Sequence, residues 1–136
     1  MFISTKGRYA LRVLIDLAQR GDEEYVPLKD IAQRQEISQK YLEGIMSALS
    51  KAGMVDGVHG KGGGYKLKRP AEEYSLKDIL AVTETSLAPV SCLDKNAQPC
   101  KRASECKTLN LWKKLDSMLD NFFGNINLAQ IVDGNI

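Results

Sequence analysis

The sequence predicts a mainly α protein with a small β-hairpin wing: a winged helix-turn-helix followed by a long C-terminal helix. Three observations carry that expectation. Apolar residues recur at helical spacing in successive stretches of the chain. Two of those stretches are separated only by Glu36-Ile37-Ser38, the tight connection of a helix-turn-helix. Strand-like sequence is concentrated around a glycine cluster, Gly60 and Gly62-Gly63-Gly64, which reads as the turn of a hairpin.

Each element has its own warrant. Residues 5–20 place Ala10, Leu11, Leu14, Ile15, Leu17 and Ala18 on a broad apolar face. Ser4 or Thr5 can cap that helix by accepting a free backbone N–H, and Gly21 is placed to end it. Residues 21–27 read as a polar loop. A short helix over 28–35 turns Ile31 and Ala32 inward. Ser38 then caps a longer helix over 38–52, whose Leu42, Ile45, Met46 and Leu49 follow the i, i+3, i+4, i+7 rule, with Gly53 at its left-handed end. Strands are expected over 54–59 and 65–68. After a connector at 70–74, Ser75 caps a helix to Val82, with Asp78 completing a capping-box pattern. A loop over 83–104 precedes a last long helix over 105–123, and residues 127–132 add a terminal turn. The expected division is therefore 1–82 as winged helix-turn-helix, 83–104 as a cysteine-containing loop, and 105–136 as a dimerisation helix with its tail.

Composition narrows the function. The chain has 136 residues, 43% of them hydrophobic, enough for one domain with a real core. It has no apolar run long enough to span a bilayer and no signal-peptide pattern at its start, so no membrane association and a cytoplasmic location are expected. His59, in the wing, is the single histidine, which leaves no partner for a Ser–His or Cys–His pair elsewhere; no enzyme is expected. The glycine cluster leads into a strand and lacks a Gly-Lys-Ser/Thr ending, so it is not a nucleotide phosphate loop.

The net charge of +2 says little about nucleic acid by itself, so the placement of charge has to carry that reading. In a helix-turn-helix the start of the second helix enters the major groove. Here that stretch holds Ser38, Gln39, Lys40, Tyr41 and Glu43. Lys40 suits a phosphate or a guanine edge, Gln39 an adenine, and Glu43 a cytosine amino group. The wing adds Lys61 at its tip beside the bare Gly62 and Gly63, with His59, Lys66, Lys68 and Arg69 on its arms. Ser4, Lys6 and Arg8 at the start of the first helix offer further phosphate contacts. The expected partner is double-stranded DNA with a near-palindromic site.

Cys92, Cys100 and Cys106 are the only cysteines, spaced Cys92-x7-Cys100-x5-Cys106 with no CxxC, a poor match to a zinc knuckle. Long gaps let three thiolates gather around a larger object, and an iron–sulfur cluster ([2Fe-2S] or [4Fe-4S]) fits. A non-cysteine donor would complete it; Asp94 and Glu105 are near in sequence. A metal-free thiol switch, and control by a docked partner protein with idle thiols, remain open alternatives. Cys106 is expected at the start of the last helix, where the dipole favours a thiolate. The apolar set Leu111, Trp112, Leu115, Met118, Leu119, Phe122 and Phe123 exceeds one stripe, so a second chain is expected to cover the surplus and give a homodimer.

Several of these stretches together resemble the Rrf-two family of bacterial winged-helix regulators. They are Ile3-Ser4-Thr5-Lys6-Gly7-Arg8-Tyr9-Ala10, Ile37-Ser38 through Tyr41-Leu42-Glu43, and Gly60-Lys61-Gly62-Gly63-Gly64-Tyr65, together with the three cysteines and Leu111-Trp112. The resemblance covers nearly the whole chain. It implies a transcription regulator that dimerises through its long C-terminal helix and holds a cluster near the dimer interface, with Tyr41 and Glu43 in the recognition helix. Two positions that supply a fourth ligand elsewhere in the family are Leu109 and Arg8 here, and the first two cysteines stand further apart than is usual.

Overall fold

The computed structural model describes residues 3–21 and 23–136; Asp22, within the expected 21–27 loop, lies outside the described residues. Six α-helices and one hairpin follow in the order α1 (Thr5–Arg20), α2 (Leu28–Gln35), α3 (Gln39–Lys51), β1 (Val55–Val58), β2 (Gly64–Leu67), α4 (Leu76–Thr83), α5 (Leu109–Gly124) and α6 (Leu128–Asp133) among the described residues. Short 3-10 turns occupy Ala71–Glu73 and Ser91–Leu93. No helix among the described residues is long and apolar enough to cross a membrane.

The helix ends follow from side-chain oxygens and glycines. Ser4 Oγ accepts from the Gly7 amide at 2.9 Å, and Ser38 Oγ from the Tyr41 amide at 3.1 Å. Gly21 and Gly53 take positive φ, 85° and 74°, just past α1 and α3. The apolar stripes of α1 and α3 then meet: Ala10, Val13, Leu14 and Leu17 pack with Leu42, Ile45, Met46 and Leu49 in one core that also takes Ile31, Ile37, Tyr74, Ile79 and Leu128. Each such aliphatic side chain contributes about 1.5–3 kcal/mol by leaving water. Leu128 brings α6 into this core, and its amide donates to the Tyr74 carbonyl at 2.8 Å.

Three boundaries differ from expectation. β1 is shorter at both ends, and β2 keeps four residues but starts and ends one residue early, because Gly64 pairs with Val58 in the antiparallel register Val55↔Leu67 to Val58↔Gly64. At Gly64, with φ of 152°, a Cβ would sit 2.3 Å from the Val26 carbonyl oxygen; its absence lets residue 26 bridge to Tyr65 on the hairpin's outer edge. α5 starts at Leu109 rather than 105. The preceding amides are used in turns instead, Ala103 to the Cys100 carbonyl and Glu105 to the Arg102 carbonyl. Ser75 caps α4 by accepting from the Asp78 amide, whereas the reciprocal capping box forms on α6, between Asn127 and Gln130.

Candidate nucleic-acid interface and cysteine loop

The turn between α2 and α3 closes because Glu36 adopts a left-handed φ of 54° and the Ile37 amide returns to the Ala32 carbonyl at 3.0 Å. Ile37 is thereby buried under the turn. The pair is fixed to α1 by a buried carboxylate that the sequence reading missed. Asp16 accepts from Arg34 Nη2 at 2.7 Å, from Arg34 Nε at 3.0 Å and from Gln35 Nε2 at 2.9 Å. Burial pushes the Asp16 carboxyl up, but the hydrogen bonds from Arg34 and Gln35, with the charges of Arg34 and Arg20, outweigh it and hold the group below its ordinary value. Arg12 donates to the Gln35 carbonyl and lies over the Tyr9 ring, 5.2 Å from its centre. Tyr9 in turn meets Tyr41 edge-on at 5.7 Å. α3 is thus braced from behind.

Its front is open. Ser38, Gln39, Lys40, Tyr41 and Glu43 are all exposed, Tyr41 at 43%. An open groove of about 490 Å³ runs between the first turn of α1 and α3, lined by Lys6, Ser38, Lys40, Tyr41, Gly44 and Ile45. The structure therefore brings together two segments that the sequence could only list separately. Arg8 is exposed and donates to Thr5 Oγ1 at 3.1 Å. Ser4 is otherwise engaged: its hydroxyl caps α1 and its amide donates to Glu84 Oε1 at 2.6 Å. Glu84 approaches so closely that a Cβ on Gly7 would stand 2.5 Å from the same oxygen.

On the wing, His59, Lys61 and Gly62 are exposed at the tip. Gly62 has a φ of 78° and open space around it. Gly63 has an internal reason to be glycine, since a Cβ there would lie 2.2 Å from the Val58 carbonyl oxygen. On the basic arms Lys68 and Arg69 are exposed and Lys66 is half-buried; Lys66 sits over Tyr25 at 4.7 Å and Arg69 over Tyr74 at 4.7 Å.

The cysteine loop joins α4 to α5. All three thiols are unpaired, Cys92 and Cys100 exposed and Cys106 half-buried. They are not gathered: among the described residues no three His, Cys, Asp or Glu side chains stand close enough to hold a metal ion. Cys92 lies in the Ser91–Leu93 turn, Cys100 opens the turn closed by Ala103, and Cys106 turns toward Thr108. Asp94, a candidate fourth donor, accepts from the Ser86 hydroxyl, and Glu105 is exposed. Cys106 precedes α5 rather than beginning it, and what lowers its thiol is first a side-chain hydroxyl and not a place on the helix. The Thr108 hydroxyl, 3.4 Å from Sγ, and then the Thr108 amide hold the thiol below its ordinary range, with the Leu109 amide and Arg102 adding to the effect against a small opposing cost of burial. On α5, Leu111, Leu115, Met118 and Phe122 are exposed at 58, 37, 61 and 51% while Phe123 is buried, so the surplus apolar stripe faces outward.

Comparison with known proteins places this geometry. The family model Rrf2, described as an iron-dependent transcriptional regulator, matches residues 3–134. The transcriptional regulator IscR of Vibrio campbellii is 37% identical over 135 residues, which is 99% of this chain and 79% of that protein. Among solved structures, the global cysteine regulator CymR of B. subtilis superposes with a TM-score of 0.79 at 33% identity, covering 98% of this chain and 97% of that one. The oxidized form of CymR from Staphylococcus aureus gives 0.74 at 32% identity, covering 97% and 96%.

Proposed function

This chain belongs to the Rrf2 family of transcriptional regulators, and on that premise we propose that it binds a near-palindromic DNA site as a homodimer and that its cysteine loop tunes the binding by holding an iron–sulfur cluster. The observation that carries the DNA reading is the groove in which Lys6 of α1 meets Ser38, Lys40 and Tyr41 of α3. Lys61 on the exposed wing tip supplies a second contact with the phosphate backbone. A two-fold dimer presents two such surfaces to inverted half-sites.

For the cluster, the donor chemistry fits and the present loop arrangement does not. Three free thiols on one irregular loop are suitable iron ligands, but the loop has to close to bring them together. Cys92, Cys100 and Cys106 would hold a cluster, which would supply a redox-active centre on this loop. The chain's own route from loop to DNA is short: Glu84, at the start of the loop, accepts from the Ser4 amide at the end of α1 that carries Lys6. A second reading, a metal-free thiol switch, is favoured by the separation of the thiols and by the hydrogen-bonded Cys106.

Anaerobic purification with iron and sulfide analysis, followed by fluorescence-anisotropy titration against duplexes selected from a random pool, tests both levels. The expected result is bound iron and sulfide in the wild type, their loss in each Cys→Ser variant, and a change of affinity with cluster occupancy. A wild type that holds neither iron nor sulfide, but whose DNA affinity responds to oxidation through Cys106, selects the thiol switch. Lys61→Ala should weaken all duplexes alike and lower the salt slope by about one charge.

A further inference from the structure

Gly44 stands in the middle of α3, where glycine is the least favourable residue short of proline. Nothing inside the chain asks for it. Its φ is not among the positive ones, and a Cβ built there meets no atom within 4 Å. Gly7, Gly57, Gly63 and Gly64 differ, because each is pressed by a neighbour that a Cβ would strike. The residue sits on the exposed face, one turn from Lys40, and forms the floor of the groove with Tyr41 and Ile45. Lys6 and Lys40 line the same groove.

A helix interior that gives up its Cβ without internal cause leaves room for something outside. A phosphate laid against Tyr41 and Ile45 would exchange water for carbon, which is unfavourable. A methyl group gains from the same surface. In the major groove the group of that kind is the 5-methyl of thymine, which no other base carries. We propose that the recess at Gly44 seats the 5-methyl group of a thymine in each half-site, making Gly44 a specificity-determining residue. Tyr41 offers the apolar surface beside it, over the buried Ile45, and Lys6 and Lys40 engage the phosphates on either side. This rests on the reading of α3 as the DNA-facing helix.

The test uses the full-length protein and the duplex that it enriches from a random pool. Each thymine is replaced singly by deoxyuridine, which removes only the methyl group, and wild type is titrated beside Gly44→Ala. One symmetry-related thymine should respond: its replacement weakens wild-type binding about four-fold in one half-site and about fifteen-fold in both, the worth of a buried methyl. Gly44→Ala should bind the thymine duplex more weakly, lose the thymine-over-deoxyuridine preference at that position, and melt no lower than wild type. Deoxyuridine tolerated at every position, a Gly44→Ala protein that keeps the preference, or one that binds as tightly as wild type would each overturn the assignment while leaving DNA binding intact. Enrichment of no duplex at all would overturn both this inference and the regulator reading.

Discussion

Asp16 is 2% exposed and sits within the apolar face of α1, between Ile15 and Leu17. Read along the sequence it looks like an interruption of that face. Its partners Arg34 and Gln35 lie on another helix, so the pairing exists only in three dimensions and no local pattern announces it. The arrangement makes stability depend on pH with a definite sign. The folded carboxyl titrates below its unfolded value of about 3.9. Its stabilisation is complete above the unfolded value and is lost as pH falls through the folded one. Asp16→Asn should lower stability by about 2–3 kcal/mol near neutral pH, toward the lower end for a buried pair because Arg34 is one-third exposed. Urea midpoints for wild type and variant should converge below about pH 4. A gap that stays constant on acidification would show that the charge of Asp16 is not what stabilises the pair. Gly44 was hidden for a related reason: the helical pattern absorbs it, and only the empty space around it marks it as unusual.

Most elements were legible because their periodicity and caps point the same way. α1 and α2 occupy the expected residues, and the α3 stripe of Leu42, Ile45, Met46 and Leu49 is buried as its spacing required. The wing strands were legible as a pair but not in extent, since glycine has no side chain to declare which face it takes. The start of α5 was misplaced because turns over 100–105 consume the amides that a longer helix would need. Asn127 and Gln130 carry a capping-box signature as Ser75 and Asp78 do, and the reciprocal pair forms on α6. The wing glycines should therefore separate on substitution. Gly64→Ala, which drives a carbon into the Val26 carbonyl, should cost about 2–3 kcal/mol by denaturation. Gly62→Ala, strained only by its positive φ, should cost about 1 kcal/mol. Equal losses at the two positions would mean that Val26 does not hold the wing.

For the whole molecule, α5 presents Leu111, Leu115, Met118 and Phe122 to solvent on one face while Phe123 anchors the other. With α5 as the dimer seam, Leu115→Glu combined with Met118→Glu should convert the protein to a monomer in sedimentation velocity and weaken operator binding together; a double variant that remains dimeric would remove α5 from the interface. The cysteines were legible as a group in sequence, but nearness in sequence does not gather them in space, since that depends on how a long loop folds. α5 is also held at its C-terminal end. The chain leaves the core after Thr83 and re-enters it at once beyond α5, where the Leu76 amide donates to the Ile126 carbonyl at 2.8 Å and Ser75 bridges to Asn127. No slack connection lies between the C-terminal end of this helix and the core that carries α3. Two copies joined along α5 would behave as a gauge with fixed jaws. One base pair inserted between half-sites shifts the second by about 3.4 Å and rotates it by about 35°, and neither jaw has a swivel to follow it. A site bound by such a dimer would be defined as much by the length of its unread centre as by its letters.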